Sequence, residues 1–280
     1  MTGTLYFVGT SIGNMEDVTL RALRILREVD LIAAEDTRVA MKILARYDIH
    51  TPLVSYHQHS GPSKAELIIE KLKAGQNVAL ISDAGMPGIS DPGQELVRKA
   101  VDLDIPVVPI PGANAAITVL AVSGFSEKGF SFVGYPPRSQ GDRLKFFERL
   151  KARPEAIVFY ESPRRLASTL RTALVALGER QAVIGREVTK LHEEIFRGTL
   201  TQAIEHFSAG EIRGEVTVVL AGAENEEMLE QPPDIESVLR VALELGMSER
   251  DAVKRACAEL DLPHRRVYAE MLRLKKGKGR

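Results

Sequence analysis

The stretch "LISDAGMPGISDPG", residues 80–93, decides how the N-terminal half of the chain is interpreted. An apolar strand leads into it and ends at Ser82 and Asp83, and five Gly and Pro residues follow in quick succession. In an open α/β sheet, ligands bind beyond the carboxyl ends of the strands. An Asp there can accept hydrogen bonds from a ligand, and glycine lets the backbone approach it closely. A plain strand-to-helix connection would need fewer such residues, so the stretch is interpreted as a ligand-binding loop.

Strand-like and helix-like segments alternate around this loop, up to about residue 125. Short apolar runs separate amphipathic segments of helical periodicity, and this rhythm is typical of βαβ units with a mostly parallel sheet. Because helices then cover both faces, the strands are expected to be continuous apolar runs. The predicted strands are residues 4–9, 30–35, 51–56, 77–82 and 106–110.

The rhythm changes after residue 125. Five further strands are predicted at 130–136, 155–161, 181–187, 193–199 and 215–222, and the last three follow each other closely, which indicates a second, mixed sheet. An acidic segment ending in Pro-Pro then predicts a linker, and the remaining residues are typical of a helix–turn–helix. The predicted fold class is therefore α/β, with α/β domains at 1–117 and 118–226 and a helical tail at 234–280.

Charge is distributed unevenly along the chain. The whole sequence has a formal net charge of −1, with 44% hydrophobic and 27% charged residues, which fits a soluble globular protein. Residues 246–280 contain ten Lys and Arg against five Asp and Glu, a net of +5, so the rest carries −6. This basic tail is the candidate nucleic-acid-binding part of the chain. Cys257 is the only cysteine, which argues against a disulfide framework and fits a reducing compartment.

One uncharged stretch, residues 105–125, is nearly long enough to span a bilayer. Pro106, Pro109, Pro111 and Gly112 interrupt it, so it is interpreted as a buried strand, a turn and a small-residue helix rather than a membrane span. The N-terminus shows no basic region followed by a long apolar run, so no signal peptide and a cytoplasmic location are expected.

Two other turns follow predicted strands at the same sheet edge. "VGTSIGN" (8–14) lacks the glycine spacing of a dinucleotide site and of a P-loop, so no pyrophosphate ligand is expected. "PGANAA" (111–116) begins a helix, where a carboxylate is favourable. Together with the 80–93 loop, these turns favour a small zwitterionic ligand with a hydroxylated part.

Neither a metal site nor a serine-hydrolase site is indicated by the reactive residues of the sequence. His57 and His59 form a His-x-His pair without accompanying ligands at metal-site spacing, so they are interpreted as hydrogen-bonding or substrate-contacting residues, and no metal is expected. The chain contains no G-x-S-x-G sequence, so serine hydrolysis is not supported.

Seven collinear motifs carry a family resemblance. They are "VGTSIGNMEDVTLRAL", "AEDTR", "SDAGMPGISDPG", "PIPGANAAITVLAVSG", "FYESPRR", "REVTK" and "RGEVTVVLAG". Between residue 4 and about 222 they resemble the bacterial 16S ribosomal RNA (cytidine-2′-O)-methyltransferases of the tetrapyrrole methylase superfamily. Two positions depart from the family pattern: Ser60 stands where an Asn is usual, and Arg164 where a His is frequent. Both positions are expected to face the substrate.

The resemblance implies S-adenosyl-L-methionine bound in a cleft between two α/β domains of a homodimer that acts on 16S rRNA or the small ribosomal subunit. It also implies a set of cofactor contacts, which match the zwitterionic, hydroxylated ligand expected from the turns. These are Gly9, Ile12, Asp83, Met86, Pro87, Asn114, Ala115, Phe159, Glu215 and Thr217.

Methyl transfer to a ribose hydroxyl suggests a general base, because the hydroxyl is a weak nucleophile near neutral pH. Glu161 and Glu187 are the candidates, with Lys190 or Arg186 holding a phosphate or polarising the site. Each could equally be a salt-bridge residue.

Two other functions stay open at this point. One is a methylase of tetrapyrroles such as precorrins, against which the basic tail and the "AEDTR" and "FYES" motifs stand. The other is a non-enzymatic nucleic-acid-binding regulator that uses the helix–turn–helix, against which the ligand cleft stands.

Overall fold

The computed structural model describes residues 2–57, 62–88, 93–210, 212–223, 235–244, 247–260 and 262–277. The chain divides into two compact units, one of residues 1–151 and 155–222 and one of residues 152–154 and 223–280. Both sheets lie in the first unit, whereas residues 152–154 and 223–226 of the second predicted α/β domain belong to the second unit. The boundary between the two predicted α/β domains at 117 and 118 stays a prediction.

The first sheet is parallel throughout, which confirms the predicted βαβ units and mostly parallel sheet. Its strands are β1 (Leu5–Val8), β2 (Leu31–Ala34), β3 (Leu53–Ser55), β4 (Val78–Ile81) and β5 (Val107–Ile110), in the order β3-β2-β4-β1-β5. The connecting helices are α1 (Leu20–Glu28), α2 (Thr37–Arg46), α3 (Pro62–Lys73) and α4 (Gln94–Asp102), with a 3-10 turn at Met15–Asp17. All residues of β2 and β4 are buried, because an apolar core lies on each face of the sheet.

The second sheet is mixed, as predicted. After α5 (Ala115–Ala121) come β6 (Phe130–Phe132), α6 (Gln140–Glu148), β7 (Ala156–Glu161), α7 (Pro163–Leu177), β8 (Gln181–Arg186), β9 (Glu194–Thr199), α8 (Leu200–Ser208) and β10 (Val216–Leu220). The strand order is β6-β7-β10-β8-β9, and only the β6–β7 pair is parallel. The strand predicted to reach residue 136 ends at Phe132, since Gly134 has a positive φ of 68° and Pro136 follows.

The two faces of this second sheet belong to different cores. Ile157 and Phe159 point into the core formed with α6, α7 and α8. Val158 and Val219 lie on the other face, in a core shared with α5 and Ile12. This alternation decides which side chains of β7 can reach the first sheet's loops.

The second unit is helical. It contains α9 (Ile235–Glu244), α10 (Glu249–Leu260) and α11 (His264–Gly277), and its apolar core includes residues from all three helices. The Ser248 hydroxyl accepts a bond of 3.2 Å from Asp251 N and so caps the start of α10. Of the predicted linker, residues 224–234 lie outside the described residues.

The uncharged stretch 105–125 contains β5, a turn and α5, as the sequence predicts. Within the described ranges, no helix combines the length and apolar character needed to cross a bilayer.

Candidate active site

The loop that follows β4 is tied to the loop that follows β1. Thr10 N donates to the carbonyl of Gly85 at 2.9 Å, and Gly85 N donates to the carbonyl of Ser11 at 3.2 Å. Gly85 has a φ of +76°, and a Cβ there would lie 3.1 Å from the Ala113 carbonyl oxygen. Its lack of a side chain therefore serves both the left-handed conformation and the close approach of neighbouring loops.

The first and third turns touch backbone to backbone. A Cβ on Gly9 would lie 2.7 Å from the Cα and N of Gly112 and 2.7 Å from Met86 Sδ. A Cβ on Gly112 would in turn lie 2.7 Å from the Cα of Gly9. The three turns identified in the sequence thus converge at the carboxyl ends of β1, β4 and β5.

A pocket of about 420 Å³ lies between these turns and the second sheet. Seven of the ten cofactor-contact residues implied by the resemblance line it, as does Glu161: the seven are Ile12, Asp83, Met86, Asn114, Ala115, Glu215 and Thr217. The structure does not bring Gly9, Pro87, Phe159, Glu187 or Lys190 into the lining.

Asp83 is anchored at the edge of the first sheet. Its Oδ1 accepts a hydrogen bond of 2.9 Å from the backbone N of Asp36, which caps α2 in the "AEDTR" motif. Asp36 in turn accepts from the side chain and the backbone N of Arg38, and these bonds lower the pKa of Asp36 to about 2. The "AEDTR" motif therefore holds the pocket carboxylate of Asp83 in place.

Asn114 combines two tasks. It lines the pocket, and its Oδ1 accepts from Ile117 N at 3.1 Å as the cap of α5. The free backbone N–H groups at the start of α5 were expected to bind a ligand carboxylate, and Asn114 itself already satisfies one of them.

An ion cluster lies at the pocket rim. Lys190 Nζ is 2.8 Å from Glu187 Oε1 and 3.1 Å from Glu215 Oε2. Burial opposes the charge on Lys190, but its hydrogen bonds to both carboxylates outweigh burial and raise its pKa. The bond from Lys190 lowers the pKa of Glu187, which makes this carboxylate a weaker proton acceptor.

The turn that carries this cluster is strained. Glu187 and Thr189 have φ values of +50° and +73°, and a β-branched residue rarely adopts this conformation. The turn contacts the first loop, where Asn14 N donates to Thr189 Oγ1 at 3.1 Å and a Cβ on Gly13 would meet the Lys190 stem at 2.5 Å. Strain held by such contacts is typical of functional sites.

Glu161 is buried and fully engaged. Its Oε1 accepts from the N and the hydroxyl of Ser162 at 2.7 and 3.3 Å, and its Oε2 accepts from Thr169 Oγ1 at 2.6 Å. Arg165 Nη2 also lies 3.1 Å from Oε2. These bonds fix the start of α7, and they occupy the lone pairs that a general base would need.

The side chain of Phe159 is placed differently from the expectation. It is fully buried in the core beside α6–α8, packed 5.7 Å from the ring of Phe147, so it cannot contact a ligand in the pocket. Its neighbour Tyr160 lines the pocket instead, because successive side chains of a strand point to opposite faces.

Among the pocket residues that the sequence did not predict are Tyr160, Tyr135 and Glu35. Glu35 lies inside "AEDTR" and Tyr160 inside "FYESPRR", where strand alternation is the signal available for Tyr160. Tyr135 lies at the end of the predicted strand 130–136 and in none of the quoted motifs. Of the His-x-His pair, His59 lies outside the described residues, as does Ser60. Within the part of the chain that is described, no three His, Cys, Asp or Glu side chains are grouped to hold a metal.

Residues 4–204 match the family Tetrapyrrole (Corrin/Porphyrin) Methylases, and the chain belongs to this family of methyltransferases. The chain is also 45% identical, over 95% of its length and 93% of the relative's, to the Bacillus subtilis (strain 168) protein Ribosomal RNA small subunit methyltransferase I. A Thermotoga maritima protein of the same name is 49% identical over 79% of this chain and 100% of its own length. The family predicted from the motifs is confirmed.

Solved structures confirm the fold. A cobalt precorrin-4 methyltransferase aligns with a TM-score of 0.58 and 14% identity over 78% of this chain and 94% of its own. The uroporphyrin-III C-methyltransferase of Thermus thermophilus, complexed with S-adenyl homocysteine, aligns with a TM-score of 0.55 and 22% identity over 78% of this chain and 97% of its own.

Proposed function

We propose that this protein is an S-adenosyl-L-methionine-dependent methyltransferase that modifies the ribose 2′-hydroxyl of a cytidine in the decoding region of 16S rRNA. The observation that carries the proposal is the 45% identity to a ribosomal RNA small subunit methyltransferase along 95% of the chain. That span includes the pocket and the helical tail, so the similarity is not confined to the fold shared with tetrapyrrole methylases.

The pocket suits the cofactor. Its volume of about 420 Å³ lies in the range for a small-molecule site. Asp83 and Asn114 offer polar groups for hydroxyls and the amino acid part, and Ile12 and Met86 offer apolar contacts for a base. The convergence of Gly9 and Gly112 lets backbone groups approach closely. When bound, the cofactor supplies a methyl group on a sulfonium, open to attack by an oxygen nucleophile.

The chain contributes mainly alignment and the exclusion of water. Lys190 stays protonated between Glu187 and Glu215 at the rim. Because these two carboxylates already neutralise its charge, its role in holding a phosphate or polarising the substrate stays a prediction. The general base stays a prediction. Glu187 has a lowered pKa, and Glu161 lines the pocket with its oxygens already bonded.

The proposal extends to partners and location. The substrate would be 16S rRNA or the small ribosomal subunit, which places the protein in the cytoplasm, and we expect a homodimer, as the family resemblance implies. The basic α10–α11 region would add RNA affinity outside the pocket.

A methyl-transfer assay tests this function against its rivals. Purified protein with radiolabelled cofactor is offered small ribosomal subunits, free 16S rRNA and a uroporphyrin or precorrin substrate, and labelled RNA is digested to map the modified nucleotide. Labelling of one cytidine ribose supports the proposal. Labelling of the tetrapyrrole would refute it in favour of the precorrin-type activity. RNA binding with no transfer to any substrate would favour a regulator.

A further inference from the structure

An exposed aromatic side chain stands at the pocket. Tyr135, in the "VGYPPR" loop after β6, lines the pocket although 58% of its surface is exposed. Its ring centroid lies 5.7 Å from that of Tyr160, which in turn contacts Phe132 edge-on at 5.0 Å. The three rings form a row along one side of the second sheet, and Tyr135 is its most exposed member.

The loop that carries Tyr135 is held on both sides. Tyr160 N donates to the carbonyl of Gly134 at 3.0 Å. Arg165 Nη2 donates to the carbonyls of Pro136 and Pro137 at 2.7 and 3.0 Å, and Arg143 Nη1 donates to the carbonyl of Arg138 at 3.3 Å. An exposed ring on a backbone fixed in this way loses little conformational entropy when a partner stacks on it.

Two exposed arginines lie close in sequence to Tyr135 or to a pocket residue. Arg138 lies three residues further along the same loop, and Arg164 follows Pro163, which lines the pocket. Both arginines are exposed. A flat aromatic face near guanidinium groups is the combination that binds single-stranded nucleic acid, with bases stacked on rings and phosphates near Arg.

We infer that Tyr135 is the stacking surface for the base of the target nucleotide, and that Arg165 is a positioning residue that holds the Tyr135 loop. The inference rests on the proposed function. A nucleotide splayed out of its stack can bring its ribose hydroxyl into the pocket, and an aromatic face at the entrance replaces the stacking that the base gives up. Tyr135 thereby favours RNA with an unpaired target base.

The test compares Tyr135→Ala, Tyr135→Leu and Tyr135→Phe in the full-length protein. Phe130→Ala is the matched control, because Phe130 is also an exposed aromatic (44%) of the β6 region but does not line the pocket. For each variant we would measure S-adenosylhomocysteine affinity by calorimetry and kcat and KM for 16S rRNA. Binding of a fluorescein-labelled decoding-region rRNA fragment is followed by anisotropy with S-adenosylhomocysteine present. Thermal unfolding confirms that each variant is folded.

Loss of base stacking should raise the RNA Kd and KM of the Ala and Leu variants roughly five- to hundredfold. The Phe variant keeps the ring and should therefore retain most of the RNA affinity that the Ala and Leu variants lose, and Phe130→Ala should resemble the wild type. S-adenosylhomocysteine affinity should not fall with RNA affinity in the Ala and Leu variants. A Leu variant as good as the wild type would show that the ring is not needed and would overturn the inference. A loss of S-adenosylhomocysteine affinity would assign Tyr135 to the cofactor and overturn it too. In both cases wild-type methylation of rRNA leaves the proposed function intact, whereas a wild type that neither binds nor methylates rRNA would refute both.

Discussion

Replacing Gly9 with alanine is the most direct test of the pocket's construction. The new Cβ would lie 2.7 Å from the Cα and N of Gly112 and 2.7 Å from Met86 Sδ. Met86 can turn away, but the Gly112 contacts are with backbone, so the first or the third turn has to move. Overpacking of this kind costs about 1–3 kcal/mol.

The cost should appear in one of two measurements. If the whole first unit carries the strain, its Tm falls by roughly 2–12 °C, at about 2–4 °C per kcal/mol for a domain of this size. If the turns separate instead, the same energy appears as a roughly five- to 150-fold loss of S-adenosylhomocysteine affinity. Scanning calorimetry and titration calorimetry on the same samples distinguish the two outcomes.

The matched control is Gly141→Ala in α6. A Cβ there meets nothing within 4 Å, and alanine is the better helix former, so this variant should keep or gain stability and bind S-adenosylhomocysteine normally. If Gly9→Ala resembles this control in both Tm and affinity, the contact between the first and third turns is not tight, and the reasoning about the pocket is refuted.

Three further predictions address other parts of the molecule. Asp83→Ala should weaken S-adenosylmethionine binding roughly ten- to hundredfold in calorimetry, because it removes a carboxylate acceptor from the pocket; unchanged affinity in a folded variant would remove Asp83 from the site. Arg38→Gln should raise the pKa of Asp36 from about 2 towards 3.8, as measured by carboxyl-carbon NMR. A lowered carboxyl pKa stabilises the fold above pH 3.8, and this stabilisation is lost as the pH falls towards 2. The free energy of unfolding of the variant should therefore depend less on pH between about 4 and 2 than that of the wild type. Arg265→Gln with Arg266→Gln should lower the log–log salt slope of RNA binding by about 1.4, and an unchanged slope would show that α11 does not contact phosphate.

Short apolar runs alternating with amphipathic helices of period 3.6 predicted the first sheet, because parallel strands covered on both faces must be apolar throughout. The close spacing of the last three strands predicted the mixed second sheet. The loops at the carboxyl ends could also be predicted, since Gly and Pro mark positions where the backbone has to turn. Gly85 illustrates this, with its φ of +76°. The end of β6 was placed too late, because Gly134 and Pro136 interrupt a run that is otherwise aromatic and apolar.

Contacts between distant parts of the chain could not be predicted in the same way. The bridge from Lys190 to Glu215 joins residues 25 positions apart, and only the pairing of β8 with β10 brings them together. The same holds for the bond from Asp36 N to Asp83, which spans 47 positions and depends on β2 lying next to β4. Such pairs follow from strand order, and periodicity does not determine strand order.

The "FYESPRR" motif illustrates why a reactive side chain in a motif need not do chemistry. A buried carboxylate and guanidinium lose hydration, and an apolar pair of the same volume would often be at least as stable. Glu161 and Arg165 are nevertheless paired here, although Arg165 Nε is buried with no partner among the described residues. An apolar pair could not bond the carbonyls of Pro136 and Pro137, so the loop that carries Tyr135 would lose two of the hydrogen bonds that hold it. The motif is therefore better explained by the placement of the pocket entrance than by proton transfer.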